Sequence, residues 1–241
     1  MNWLILAIAP GVAISSYIIF KDEYNKEPRK HLLISFILGV ISIVPAMVLE
    51  LPLVWTDQFA FFSSSFGNAI KAFLMVAFPE ELAKFFMLKF YAYRQPEYDE
   101  PFDGIVYAVM VGMGFATAEN IMYIYEYGTA TGVVRMFLAV PAHATFAIIM
   151  GYFMGKARFS LNRERHLLIA GLFWAVVFHG SYDFFLFLKD TKHTDTEFSL
   201  LMVLGAVVSL VTGILLSKKA IAVHLLHSAN THTSKTDDQD Q

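Results

Sequence analysis

The sequence predicts an all-α fold, a polytopic transmembrane helical bundle of about seven spans with its polar site in the membrane interior. Three observations carry this. Of 241 residues, 56% are apolar and only 16% are charged, with a mean hydropathy of +0.53, whereas ordinary soluble domains carry about 25% charged residues. Seven apolar runs are long enough to cross a hydrocarbon core about 30 Å thick at about 1.5 Å of rise per residue. The Lys and Arg residues gather in alternate connections between those runs, as short cytoplasmic loops require.

The runs are 3–20, 31–54, 67–90, 105–126, 133–155, 166–188 and 198–217. The first has no basic flank before it and no Ala-x-Ala site after Phe20, so it reads as a retained span rather than a signal peptide. In the fourth and fifth runs, Gly112-Met-Gly114 and Gly151-x-x-x-Gly155 read as surfaces for close helix packing. One set of connections holds Lys21, Lys26, Arg29 and Lys30, then Lys89 and Arg94, then Lys156, Arg158, Arg163 and Arg165, and finally Lys218, Lys219 and Lys235. The other set holds only Arg135, Lys189 and Lys192, while Lys71 and Lys84 fall within the third run. This asymmetry places the N-terminus outside and the C-terminus in the cytoplasm, and it checks the number of spans, because one span more or fewer would scramble the alternation.

A single integral-membrane domain is expected over residues 1–217. The loop 94–104 is acidic, with two prolines, and reads as a turn-rich cytoplasmic connection. Residues 218–241 read as a polar cytoplasmic tail that stays disordered, since the stretch from Ser228 to Gln241 has little apolar surface to bury. The chain has no cysteine, which excludes a disulfide framework, a thiolate nucleophile and a sulfur-based zinc site. The net charge of −3 gives no indication of a nucleic-acid partner.

A charged side chain at the bilayer centre costs about 2.5–3.5 kcal/mol on insertion scales, so intramembrane ionisable groups mark functional sites by default. Away from the ends of the runs, two histidines, His143 and His179, and five acids, Glu50, Glu80, Glu81, Glu119 and Asp183, fall inside them. Glu50 lies near an outer helix end beside Pro52 and reads as a structural hydrogen-bonding group, and His143 taken alone serves equally well as one. The remaining five form a pattern. Glu80 and Lys84 are four apart on one helix face, as are His179 and Asp183. Counted from the outer helix ends, Glu119, His143, His179 and Asp183 lie roughly 8–15 Å deep, with Glu80 near the midplane. One cavity opening to the extracytoplasmic side can therefore hold them all.

Adjacent carboxylates in a low-dielectric site do not both ionise comfortably, and Lys84 favours ionisation of its neighbour. Such a carboxylate is suited to take a proton from water. His179 can stabilise a developing oxyanion, with Asp183 one turn on setting its tautomer. This is equipment for peptide hydrolysis inside a membrane. There is no His-Glu-x-x-His motif, no Gly-x-Gly-Asp partner for Tyr182-Asp183, and no nucleophile elbow around Ser181.

Glu80-Glu81-x-x-Lys84, Phe115-x-x-x-Glu119 and His179-x-x-x-Asp183, in that order on successive spans, resemble the PrsW family of bacterial intramembrane proteases. That family is glutamic-type and related to the CAAX prenyl endopeptidase, Abi and CPBP group. The resemblance covers about residues 70–190. It implies an enzyme of the bacterial cytoplasmic membrane that makes the site-1 cut in a single-span anti-sigma factor, in a stress-response pathway. It further implies Glu80 as general base, Glu81 and Lys84 as its electrostatic partners, Glu119 holding water, and His179 with Asp183 stabilising the oxyanion, with His143 at the same site. In the prenyl endopeptidases the second motif ends in His and the third in Asn, so Glu119 and Asp183 set this chain apart from them.

No cofactor is favoured, because Lys84 beside the carboxylates is a poor companion for a dication. The alternative is zinc held by Glu80 or Glu81 with His143 and His179, a two-His, one-Glu set with an open position for water. From a different functional class, the same carboxylates can serve as the relay of a proton-coupled transporter. The absence of a clear inverted repeat argues against that reading, and the three intact motifs argue against an inactive immunity scaffold.

Overall fold

The computed structural model describes residues 3–23, 25–52, 64–191 and 196–237, and these are helical throughout apart from turns and short connections. The helices are α1 (Trp3–Lys21), α2 (Arg29–Glu50), α3 (Ser65–Ile70), a π-helical segment (Lys71–Ala77), α4 (Phe78–Phe90), a 3₁₀ turn (Ala92–Arg94), α5 (Asp103–Tyr127), α6 (Thr129–Phe137), α7 (Ala139–Arg158), α8 (Glu164–Thr191) and α9 (Thr196–Asp237). Six helical stretches among the described residues have the length and apolarity to cross a membrane, α6 and α7 counting together as one. The seventh expected span is the unbroken helical run α3–π–α4. Its four ionisable residues between Lys71 and Lys84 lower its apolarity, and the π segment interrupts its α-helical geometry. Positions 53 and 54 of the second expected run lie outside the described residues.

The centre of the bundle is α5, buried along most of its length and packed against α1, α2 and α7. Small residues let the backbones approach, which is how membrane helices associate where lipid offers no hydrophobic gradient. A methyl group added at Gly39 would strike the Val111 carbonyl, and one at Gly114 the Phe36 carbonyl, so α2 and α5 interlock glycine to backbone in both directions. Gly104 and Gly151 do the same between α5 and α7. Gly128, at φ +87°, ends α5 and turns the chain into α6, a conformation that glycine adopts without a Cβ penalty.

The last helix runs to Asp237, and its part up to Ser228 packs against the bundle. Ser217, His224 and Ser228 on α9 are buried, and the His224 ring stacks on Tyr152 of α7 at 4.5 Å.

At the α1–α2 connection, Glu27 accepts a hydrogen bond from the Tyr107 hydroxyl of α5, with Asp22, Asp99 and Asp103 nearby. Burial pushes the Glu27 carboxyl up to about 7, and the acidic neighbours Asp22 and Asp99 add to this while the Tyr107 bond opposes it. The folded protein therefore binds a proton here that the unfolded chain has released. That stabilisation is present below the ordinary glutamate range and is lost as pH rises through about 7. Thermal unfolding in detergent should show a midpoint that falls between pH 5 and pH 8, with a shallower fall in Glu27→Gln.

Candidate active site

The π segment places the first pair of site residues. Its ladder runs five residues back, with the Phe78 N–H donating to the Phe73 carbonyl, and it is followed by Pro79 in α4, which has no N–H to continue the ladder. Single-turn π segments recur at functional sites because they rotate the residues that follow. Here Glu80 and Glu81, in the first turn of α4, are both buried. The Phe73 ring lies directly on Gly180, leaving no room there for a side chain, and so locks the π segment against the turn of α8 that carries His179.

Lys84 stands at the centre. Its Nζ donates to Glu81 Oε1 at 2.8 Å, to Glu80 Oε2 at 3.2 Å and to His143 Nδ1 at 3.2 Å, and it sits 3.9 Å above the Phe115 ring. Because Nδ1 of His143 accepts from the ammonium, its Nε2 carries the proton and donates to Glu119 Oε2 at 2.8 Å. His179 lies between two carboxylates, with Nδ1 2.9 Å from Glu81 Oε1 and Nε2 3.2 Å from Asp183 Oδ2. The two imidazole rings meet edge to face at 5.2 Å, and Phe146 stacks on His179 at 4.7 Å. All seven residues singled out from the sequence thus belong to one connected cluster. Ser181 does not, its hydroxyl donating to the Val177 carbonyl of its own helix.

A cavity of about 590 Å³ opens onto this cluster, with Glu80, Glu119, His143, His179 and Asp183 in its wall. Glu50, read from sequence as a structural group, lines the same cavity. The residue that sequence reasoning missed is Arg135. Its position at the outer end of the fifth expected run, where it was counted with the connection, gave no sign of a role, but α6 brings the guanidinium to 2.7 Å from Glu119 Oε2. Arg135 Nε donates to Asn120 Oδ1, Asn120 Nδ2 donates to the Ala7 carbonyl, and the guanidinium lies 3.9 Å from the Tyr123 ring. Arg135 thus holds Glu119, which in turn accepts from His143. Removal of such supporting groups typically costs about 10–100-fold. Arg135→Gln should lower kcat by that order with little change in KM, and Arg135→Lys should recover part of it, as steady-state cleavage of a peptide spanning the scissile bond would show.

The donor set also fits a metal ion. One ligand atom from each of Glu80, Glu81, His143 and His179 lies within 4.8 Å of the others. Glu81 Oε2 is buried with no hydrogen-bond partner among the described residues. Each histidine has Nε2 against a carboxylate, Glu119 or Asp183, which is the support that metal-bound imidazoles commonly receive. The four carboxylates Glu80, Glu81, Glu119 and Asp183 outnumber the two fixed cations, Lys84 against Glu80 and Glu81 and Arg135 against Glu119, with Asp183 against His179.

A multi-pass membrane bundle with acid–base groups, imidazoles and a cavity converging inside it defines an intramembrane hydrolase. Residues 27–212 match the family described as PrsW family intramembrane metalloprotease. The chain is 40% identical over 183 residues to Protease PrsW of Geobacillus kaustophilus (strain HTA426), covering 76% of this chain and 79% of that one. It is 41% identical over 180 residues to Protease PrsW of Bacillus subtilis (strain 168), covering 74% and 80%. With Protease PrsW of Clostridioides difficile (strain 630) it shares 31% over 195 residues, 78% and 81% of the two chains. No solved structure matches it. The chain belongs to the PrsW family and is a membrane-embedded peptide hydrolase.

Proposed function

We propose that this protease makes the first cut in a single-span anti-sigma factor, near the extracytoplasmic side of the bacterial cytoplasmic membrane, with Glu80 as general base. The observation that carries the base assignment is the division of labour between adjacent carboxylates. Glu80 faces the cavity, whereas Glu81 lies behind it, held by Lys84 and His179. The substrate class rests on the resemblance to PrsW proteases, and the side of the membrane on the basic residues gathered at the opposite end of the bundle.

In this mechanism Glu80 takes a proton from water while the water oxygen bonds to the scissile carbonyl carbon. Glu80 then returns that proton to the amide nitrogen as the C–N bond breaks. Glu81, His143 and His179 would hold zinc. A bound zinc supplies Lewis-acid polarisation of the carbonyl and lowers the pKa of water. Glu119 and Asp183 hold the two imidazoles in orientation, and Phe115 and Phe146 keep bulk water from the buried side. A metal-free form of the same chemistry has one observation in its favour: Lys84 Nζ already bridges Glu80, Glu81 and His143, placing a positive charge where a metal would sit.

The substrate assignment is tested by comparing membrane proteomes of cells carrying the wild-type protein or Glu80→Ala. One single-span anti-sigma factor should accumulate uncut in the variant. Accumulation of a protein of another class, or of none, would overturn the substrate assignment.

A further inference from the structure

Lined by a different set of residues from the catalytic cavity, α7, α8 and α9 form a second concavity of about 290 Å³ whose wall is almost wholly apolar. Tyr152 and Phe153 come from α7, Trp174 and Phe178 from α8, and Leu216 with Lys219 from α9. An apolar groove on a membrane bundle holds hydrocarbon, but two features distinguish this one from ordinary lipid-facing surface. Lys219 sets an exposed ammonium in the groove wall. Lys156, exposed and one turn beyond Tyr152, brings its Nζ to 3.5 Å from the Tyr152 hydroxyl. Among the described residues, the groove wall itself contains no carboxylate. Long lysine stems lie along apolar surface while their heads reach for polar groups.

We propose that this groove binds one anionic phospholipid, its acyl chain against Phe153, Trp174, Phe178 and Leu216 and its phosphate between Lys156 and Lys219. The charge of the two ammonium groups selects anionic over zwitterionic headgroups, and the aromatic wall holds the chain.

Trp174 reports on occupancy. In a Trp3→Phe/Trp55→Phe background it is the remaining tryptophan, and bromine atoms on a bound acyl chain quench its fluorescence. The protein is placed in dioleoyl-phosphatidylcholine nanodiscs with rising mole fractions of a dibrominated-chain phosphatidylglycerol or phosphatidylcholine. Half-maximal quenching should need less phosphatidylglycerol than phosphatidylcholine, by about fivefold for each lysine engaged. Lys156→Gln/Lys219→Gln should abolish the preference while leaving quenching by the zwitterionic lipid unchanged, and Lys156→Arg/Lys219→Arg should retain it. Equal quenching by the two lipids in the parent, a preference that survives in the Gln pair, or its loss in the Arg pair would each overturn the site.

Discussion

Glu80→Gln is expected to reduce cleavage by about 10²–10⁴-fold, the range that a positioned general base contributes, with the protein still folded and membrane-inserted. The substitution is nearly isosteric and retains an acceptor for the Lys84 ammonium, now 3.2 Å from Glu80 Oε2. It removes only the capacity to take a proton from water in the cavity. Because Glu81 accepts from Lys84 at 2.8 Å and lies 2.9 Å from His179, it should not substitute for the missing base. Kinetics on detergent-purified protein decide the matter. Full activity in Glu80→Gln would transfer the role to another group, and Glu81→Gln measured alongside would show whether its neighbour carries it.

Removal of zinc is expected to have an effect of similar size. Purified protein should carry close to one zinc per chain by elemental analysis, a chelator should strip metal and activity together, and added zinc should restore both. His143→Ala and His179→Ala should each lower the zinc content, a readout independent of catalysis. Lys84→Met separates the two chemistries of this site. If zinc is the cation in use, the variant retains its metal; if the ammonium is, the variant is inactive and the wild-type protein is active without any metal. A metal-free, fully active wild type would establish the lysine-centred form and overturn the zinc assignment.

The site was legible in the sequence because the bilayer makes polar groups conspicuous. Glu80, Glu81, Lys84, Glu119, His179 and Asp183 stood out by the insertion cost of each and by i, i+4 spacing. His143 was ambiguous, since a lone intramembrane imidazole is equally a structural group. Only the contacts to Lys84 and Glu119 bring it into the cluster. Glu50, read as a structural group, also lines the cavity, which its position near a helix end did not show. Arg135 was invisible because a cation at the outer end of a span is ordinary at a membrane interface, and no periodicity announces that α6 packs against α5. The expectation of no cofactor rested on Lys84 as a neighbour. The spacing already paired His179 with Asp183, whereas the Glu119 carboxylate behind His143 came only from the fold.

The sequence by itself determined the solvent this protein folds in, the approximate spans and the residue types able to do chemistry, because hydropathy and charge act residue by residue. Tertiary structure decided what depends on distance between helices. That includes the π segment that turns Glu80 and Glu81 inward, the glycine contacts that set the helix spacing, the reach of Arg135 to Glu119, and the helix that continues past residue 217 because α7 offers it a face. Hydrogen bonds and close packing operate over a few ångströms between residues far apart in the chain, and no local pattern encodes which of those residues will meet.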